Sequence, residues 1–166
     1  MRAQKSPRRS FLKGSVASAA TMGAVTLALP GSAAPAKSGA QKKVITRPGE
    51  PLIPASLFSP ATQLGNLLFL SGSGALDPQT HKLVPGPIGN QVKQCLENLK
   101  AVLETAGSSM DKVLKCTVFL TDITNFKAMN EVYHSYFPAN PPARTTIAAK
   151  DLPGESLVEI ECIAYV

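Results

Sequence analysis

Residues 141–166, PPARTTIAAKDLPGESLVEIECIAYV, close the chain with two apolar segments that carry charges inside them. Pro138, Pro141 and Pro142 force an extended entry into ARTTIAAK (143–150). LVEIECIAYV (157–166) reads with period 2, so Leu157, Glu159, Glu161, Ile163 and Tyr165 take one face and Val158, Ile160, Cys162, Ala164 and Val166 the other. If the two segments pair across DLPGES in an odd register, with Lys150 opposite Leu157, the face of Arg144 and Thr146 coincides with that of Glu159 and Glu161. A slip of one residue separates them.

Working back along the chain, KVITR (43–47) is a short first strand, and ASLFSPATQLG (55–65) extends to a turn at Gly65-Asn66. LLFLSGSGAL (67–76) is a strand that ends at the DPQT turn, giving a hairpin. From Ile88, apolar residues recur at Val92, Cys95, Leu96, Leu99, Val102, Leu103 and Ala106, the stripe of an amphipathic helix that Gly107 terminates. KVLKCTVFLT (112–121) is a strand, and DITNFKAMNEVYHSYF (122–137) a second helix with Asp122 as its N-cap. The order β-β-β-α-β-α-β-β gives an α/β (α+β) sheet with both helices on one face. That face collects Leu68, Leu70, Leu114, Cys116, Val118 and Leu120 beside the even-numbered set of the last strand. The other face holds Phe69, Ser71, Lys115, Thr117 and Phe119, too apolar for open solvent and too polar for a dry core, which predicts contact between subunits.

The chain has 166 residues, enough for one domain and an appendage. The appendage is N-terminal: SPRRSFLK (6–13) precedes a weakly apolar, small-residue run and then PGSAAPAKS. This has the form of an export signal, and Arg8-Arg9 resembles the twin-arginine type, with Pro7 as its departure. Cleavage is expected after Ala36, with Ala33 as the alternative site and an uncleaved anchor as the alternative fate. The reading divides the chain into a signal (1–36), a linker (37–43) and a domain (44–166) delivered to the periplasm, with the export machinery as a partner and no stable membrane anchor. Five basic residues and no acidic ones leave with the signal, so the formal charge falls from +6 to 12 basic against 11 acidic residues, or +1. The basic balance therefore belongs to the address and not to a nucleic-acid surface. Cys95, Cys116 and Cys162 have no zinc-finger spacing, and a complete set of internal disulfides needs an even count. They read as buried free thiols, and no metal site is expected.

Arg144 has two readings from the residues alone: a structural ion pair with a glutamate across the sheet, or a bidentate grip on a ligand carboxylate while a Glu orients or deprotonates water. Asn130 shares a helix face with Phe126, Tyr133 and Phe137, either bonded to backbone or turned to a ligand. In FLSGSG, Ser71 and Gly72 stand at a strand end where glycine lets a backbone approach a ligand closely; the segment is not a phosphate loop. His81 and His134 read as surface or packing residues.

LGNLLFLSG (64–72), VKQCLENLKAVLETAG (92–107), TVFLTDITNFKAMNEVY (117–133), PPARTT (141–146) and VEIECIA (158–164) together resemble the RidA/YjgF family, the reactive-intermediate deaminases. The resemblance implies a chorismate-mutase-like fold, a homotrimer with clefts between subunits, no cofactor, and hydrolysis of enamines and 2-imino acids such as 2-aminoacrylate to 2-keto acids and ammonia. It also implies site roles. Arg144 holds the substrate carboxylate, Glu159 the attacking water, with Thr146 beside them; Asn130, Ser71, Gly72 and the position of Phe58 line the cleft. Phe58 stands where the family has Tyr, and Thr146 where many members have Cys. Those two departures keep open a module that binds small carboxylates without turnover, and the apolar surface keeps open a holdase-like interaction protein.

Overall fold

The computed structural model describes residues 39, 41–53 and 56–166. The signal read at 1–36 lies outside the described residues. The described residues contain β1 (Lys43–Ile45), β2 (Ala61–Leu64), β3 (Leu67–Ser73), α1 (Ile88–Thr105), β4 (Val113–Leu120), α2 (Phe126–Tyr136), β5 (Ala143–Ala148) and β6 (Val158–Tyr165). All eight elements read from the sequence are present, in the order read. The strands form one sheet in the order β1-β2-β3-β6-β4-β5, antiparallel throughout except for β4 and β5.

The stripe read on α1 is the one that is buried: Val92, Cys95, Leu96 and Leu103 are fully enclosed against β3 and β6, with Leu99 and Val102 beside them. Each such side chain contributes about 1.5–3 kcal/mol on leaving water. Gly107, at φ +78°, ends the helix in the left-handed conformation that a side chain would oppose. Met129 and Tyr133 bring α2 into the same core. Asp122 does cap, but it accepts a bond from Thr124 N (2.8 Å) over the 3-10 turn Ile123–Asn125, and α2 proper starts at Phe126.

Two readings are corrected. Leu114 is exposed and Val113 takes its place in the core, because the β4–β6 register shifts between Val113 and Lys115. A bulge inserts one residue and turns the next side chain outward. More consequentially, β5 does not pair with β6. It lies along the far side of β4 in parallel, Cys116 opposite Arg144 and Val118 opposite Thr146, while β6 threads between β3 and β4. A strand–helix–strand unit returns parallel to its first strand, and β4–α2–β5 is such a unit.

The pairing decides which way the charges face. Cys116 and Val118 point to the helices, so Arg144 and Thr146 do too; Thr117 pairs with Glu161 and Phe119 with Glu159, so both carboxylates point away. Arg144 and Glu159 stand on opposite faces of one sheet. The face without helices exposes Phe69, Ile147 and Tyr165 around the half-buried Lys115, Thr117 and Glu161.

Candidate active site

The residues singled out in the sequence fall into two clusters. The first surrounds Arg144 at the β5 edge, beneath α2. A cavity of about 390 Å³ is lined by Asn130, Tyr133, His134, Phe137, Pro141, Pro142 and Arg144. The two prolines hold the chain extended as it enters β5, which fixes where the Arg144 side chain leaves the strand.

Arg144 has no carboxylate partner among the described residues, where the ion pair found is Arg47–Glu50 at 3.3 Å. The in-sheet ion pair is therefore not formed. The guanidinium carbon sits instead 4.6 Å from the centre of the Tyr133 ring and 5.6 Å from that of Phe126. Asn130 Oδ1 and Tyr133 Oη, on two residues of that cavity wall, are buried without a hydrogen-bond partner, as is Thr146 Oγ1, two residues along β5 on the same face as Arg144. A buried polar atom left unsatisfied costs about 1–3 kcal/mol, so three on the elements that flank Arg144 are a poor structural arrangement and point to a ligand. Burial, and then the neighbouring Cys116 thiol, push the Tyr133 phenol well above its ordinary range, so it keeps its proton as a donor. Burial likewise pushes Cys116 up, leaving the floor of the cluster uncharged.

The second cluster lies at the end of β3. A cavity of about 460 Å³ has Phe58, Ser71, Gly72, Ser73, His81 and Glu159 in its wall. The β3–β6 register shifts between Leu70 and Ser73, and this bulge brings Gly72 under the Glu159 side chain. A Cβ at Gly72 would stand 2.0 Å from Glu159 Oε1, so only glycine leaves the carboxylate its place. Ser71 spends its hydroxyl proton on Ser59 O (2.7 Å) and its N–H on Pro60 O (3.0 Å), tying the Phe58 segment to β3. Asn98, held by Gln94 (2.8 Å), donates to Gly74 O and Leu76 O and fixes the far wall to α1. Burial, and after it the like charge of Glu161, hold the Glu159 carboxyl above its ordinary value.

Both histidines, read as surface or packing residues, line cavities: His134 the first and His81 the second. Phe126 and Tyr133 were legible only as members of the Asn130 helix face; their contact with Arg144 depends on the unforeseen β4–β5 pairing. Among the described residues no cluster of potential metal ligands occurs, and all three cysteines are buried and free.

A raised carboxyl also bears on stability. Such a group favours the fold at pH below its ordinary value, and that contribution is lost as pH rises through the raised one. Glu159→Gln is therefore expected to melt at a higher temperature than wild type at neutral pH, with the difference closing as the pH is lowered; calorimetric scans across pH check it.

Comparison with known proteins agrees with this architecture. A family model described as Endoribonuclease L-PSP matches residues 50–166. A RutC family protein of Pyrococcus horikoshii is 46% identical over 112 residues, which cover 68% of this chain and 89% of the relative. A 2-iminobutanoate/2-iminopropanoate deaminase of Dermatophagoides farinae is 36% identical over 125 residues, 75% of this chain and 97% of that protein. The crystal structure of the yjgF gene product of E. coli superposes with a TM-score of 0.68 at 32% identity, covering 74% of this chain and 98% of that one. With the sheet and the two helices in common and the family model matched across more than two thirds of its length, the chain belongs to the RidA/YjgF family of reactive-intermediate deaminases.

Proposed function

We propose that the protein hydrolyses 2-imino acids, and the enamines in equilibrium with them, to 2-keto acids and ammonia at clefts between identical subunits. The observation that carries this reading is the guanidinium of Arg144, without a carboxylate among the described residues and sharing a cavity with the buried, unpartnered polar atoms of Asn130 and Tyr133. Its planar fork suits a carboxylate bidentately. The other half of the chemistry is the Glu159 carboxylate over Gly72, on the opposite face of the sheet. The two halves of one chain face apart, so the complete site takes Arg144, Asn130 and Thr146 from one copy and Glu159, Gly72, Ser71 and Phe58 from its neighbour. A cyclic trimer closed over the mixed sheet face supplies that arrangement.

In this site Arg144 fixes the carboxylate of the imino acid, and Glu159 takes a proton from the water that attacks the imine carbon. The C=N bond becomes C–N as the C–O bond forms, and the nitrogen takes up a proton. Collapse of the carbinolamine then makes the keto C=O and expels ammonia. No cofactor is required, since positioning and a well-placed base suffice for a reaction that runs unaided. The twin-arginine-like start at Arg8-Arg9 supports delivery of this activity to the periplasm.

The test is the decay of 2-iminobutanoate, generated in situ by an amino-acid oxidase, with wild type and with Arg144→Ala. Wild type is expected to accelerate the decay and Arg144→Ala to lose about a hundredfold or more, the scale of a lost charge-assisted bidentate contact and its positioning. Equal decay with both ends the reading. Ligand-dependent shifts in melting temperature without turnover would instead select a carboxylate-binding module, for which the missing hydroxyl of Phe58 is the supporting feature.

A base works when deprotonated, so kcat/KM should fall on the acid side through the raised value of Glu159, above the pH of an ordinary glutamate. Glu161→Gln removes the like charge and is expected to move that limb to lower pH. A limb that stays in place in Glu161→Gln contradicts the coupling.

A further inference from the structure

We infer that Phe126 and Tyr133 form an aromatic seat that presets the Arg144 guanidinium for its ligand, with Phe126 as its separately testable member. This rests on the carboxylate grip proposed for Arg144.

An arginine held by a protein carboxylate is well ordered, but its N–H groups are already spent. An arginine left in solvent keeps its donors and loses rotamer freedom when a ligand orders it. A guanidinium against aromatic faces avoids both difficulties, because the rings touch its π surface while the five N–H groups remain in its plane. Arg144 is in this third state. Its carbon lies 4.6 Å from the Tyr133 centroid and 5.6 Å from that of Phe126, both inside the cation–π range of about 6 Å, and no ion pair competes among the described residues.

The rings are themselves fixed. Tyr133 is 5% exposed and tilts onto Phe137 with centroids 4.7 Å apart. Phe126 is the first residue of α2, delivered by the 3-10 turn that Asp122 caps. At 40% exposure it is not part of the buried core, so a large aromatic there gains little from the fold. Its contact with Arg144 accounts for its presence. Phe126 is thus a positioning residue that acts through Arg144.

The test titrates 2-oxobutanoate, the keto-acid product, calorimetrically into wild type, Phe126→Leu, Phe126→Tyr and Arg144→Ala, with imine decay followed in parallel. Phe126→Leu is expected to keep the wild-type melting temperature and bind roughly three- to thirtyfold more weakly, the span of cation–π contacts from exposed to desolvated. Its KM should rise more than its kcat falls. Phe126→Tyr, which restores a ring, should recover affinity to within about twofold. Wild-type affinity in Phe126→Leu, no recovery in Phe126→Tyr, or no binding by wild type overturns the inference. Binding that follows the expected order without imine turnover in any variant overturns the hydrolytic reading and leaves the seat standing. Arg144-dependent turnover that is indifferent to Phe126→Leu does the reverse.

Discussion

Arg144→Ala and Glu159→Gln, each inactive alone, are expected to regain roughly a quarter of wild-type imine hydrolysis when unfolded together in equal amounts and refolded as one mixture. The value comes from the sheet. Arg144 shares the helix side with Cys116, and Glu159 shares the opposite side with Phe119, so no one chain joins them. If each cleft takes its arginine from one copy and its glutamate from the next, half of the clefts receive an intact Arg144. Independently, half receive an intact Glu159. A site built within one chain gives no recovery, because every chain carries one lesion. The measurement is imine decay in the refolded mixture, with mass spectrometry to establish that mixed assemblies have formed. Mixed assemblies without activity would refute the shared cleft.

Gly72→Ala is expected to lower kcat/KM by about a hundredfold, the cost of moving a catalytic group by an ångström, while the melting temperature stays near that of wild type. The new Cβ would meet Glu159 Oε1 at 2.0 Å and Cδ at 2.7 Å. These atoms are the end of a flexible side chain, so the carboxylate swings away and the backbone need not move. The fold survives and the base is displaced. In a Glu159→Gln background the same substitution should cost little further activity, since the group that it displaces no longer acts as a base. Additive losses in the double variant would show that Gly72 acts through something other than Glu159.

Local patterns in the sequence were reliable guides, and long-range pairing was not. The stripe Val92–Leu103 identifies α1 because a 3.6-residue period admits one buried face, and alternation identifies β4 and β6 for the equivalent reason. The bulge at Val113–Lys115 was not legible, because an extra residue in one strand is visible only against its partner. The hairpin read for 143–166 failed where a short loop between two extended segments suggests that they pair. The β4–α2–β5 order contained the signal for the parallel alternative. That single pairing carries Arg144 to the other face, and with it the division of the site and the contact with Phe126 and Tyr133. Asn130, Arg144, Glu159 and Gly72 were all recognisable as unusual residues. Which of them could meet was a question for the register.

The position of β6 sets a timetable for the chain. β6, which follows every other strand in the chain, is an inner strand, flanked by β3 and β4, and neither of these pairs with the other. Until Val158–Tyr165 is available, β1-β2-β3 and β4-β5 are two ribbons with no strand pairing between them and open edges, the form of a growing chain prone to pair with the wrong neighbour. The sheet therefore closes only once β6 has emerged, and loss of Val158–Tyr165 removes the middle of the sheet and not its margin.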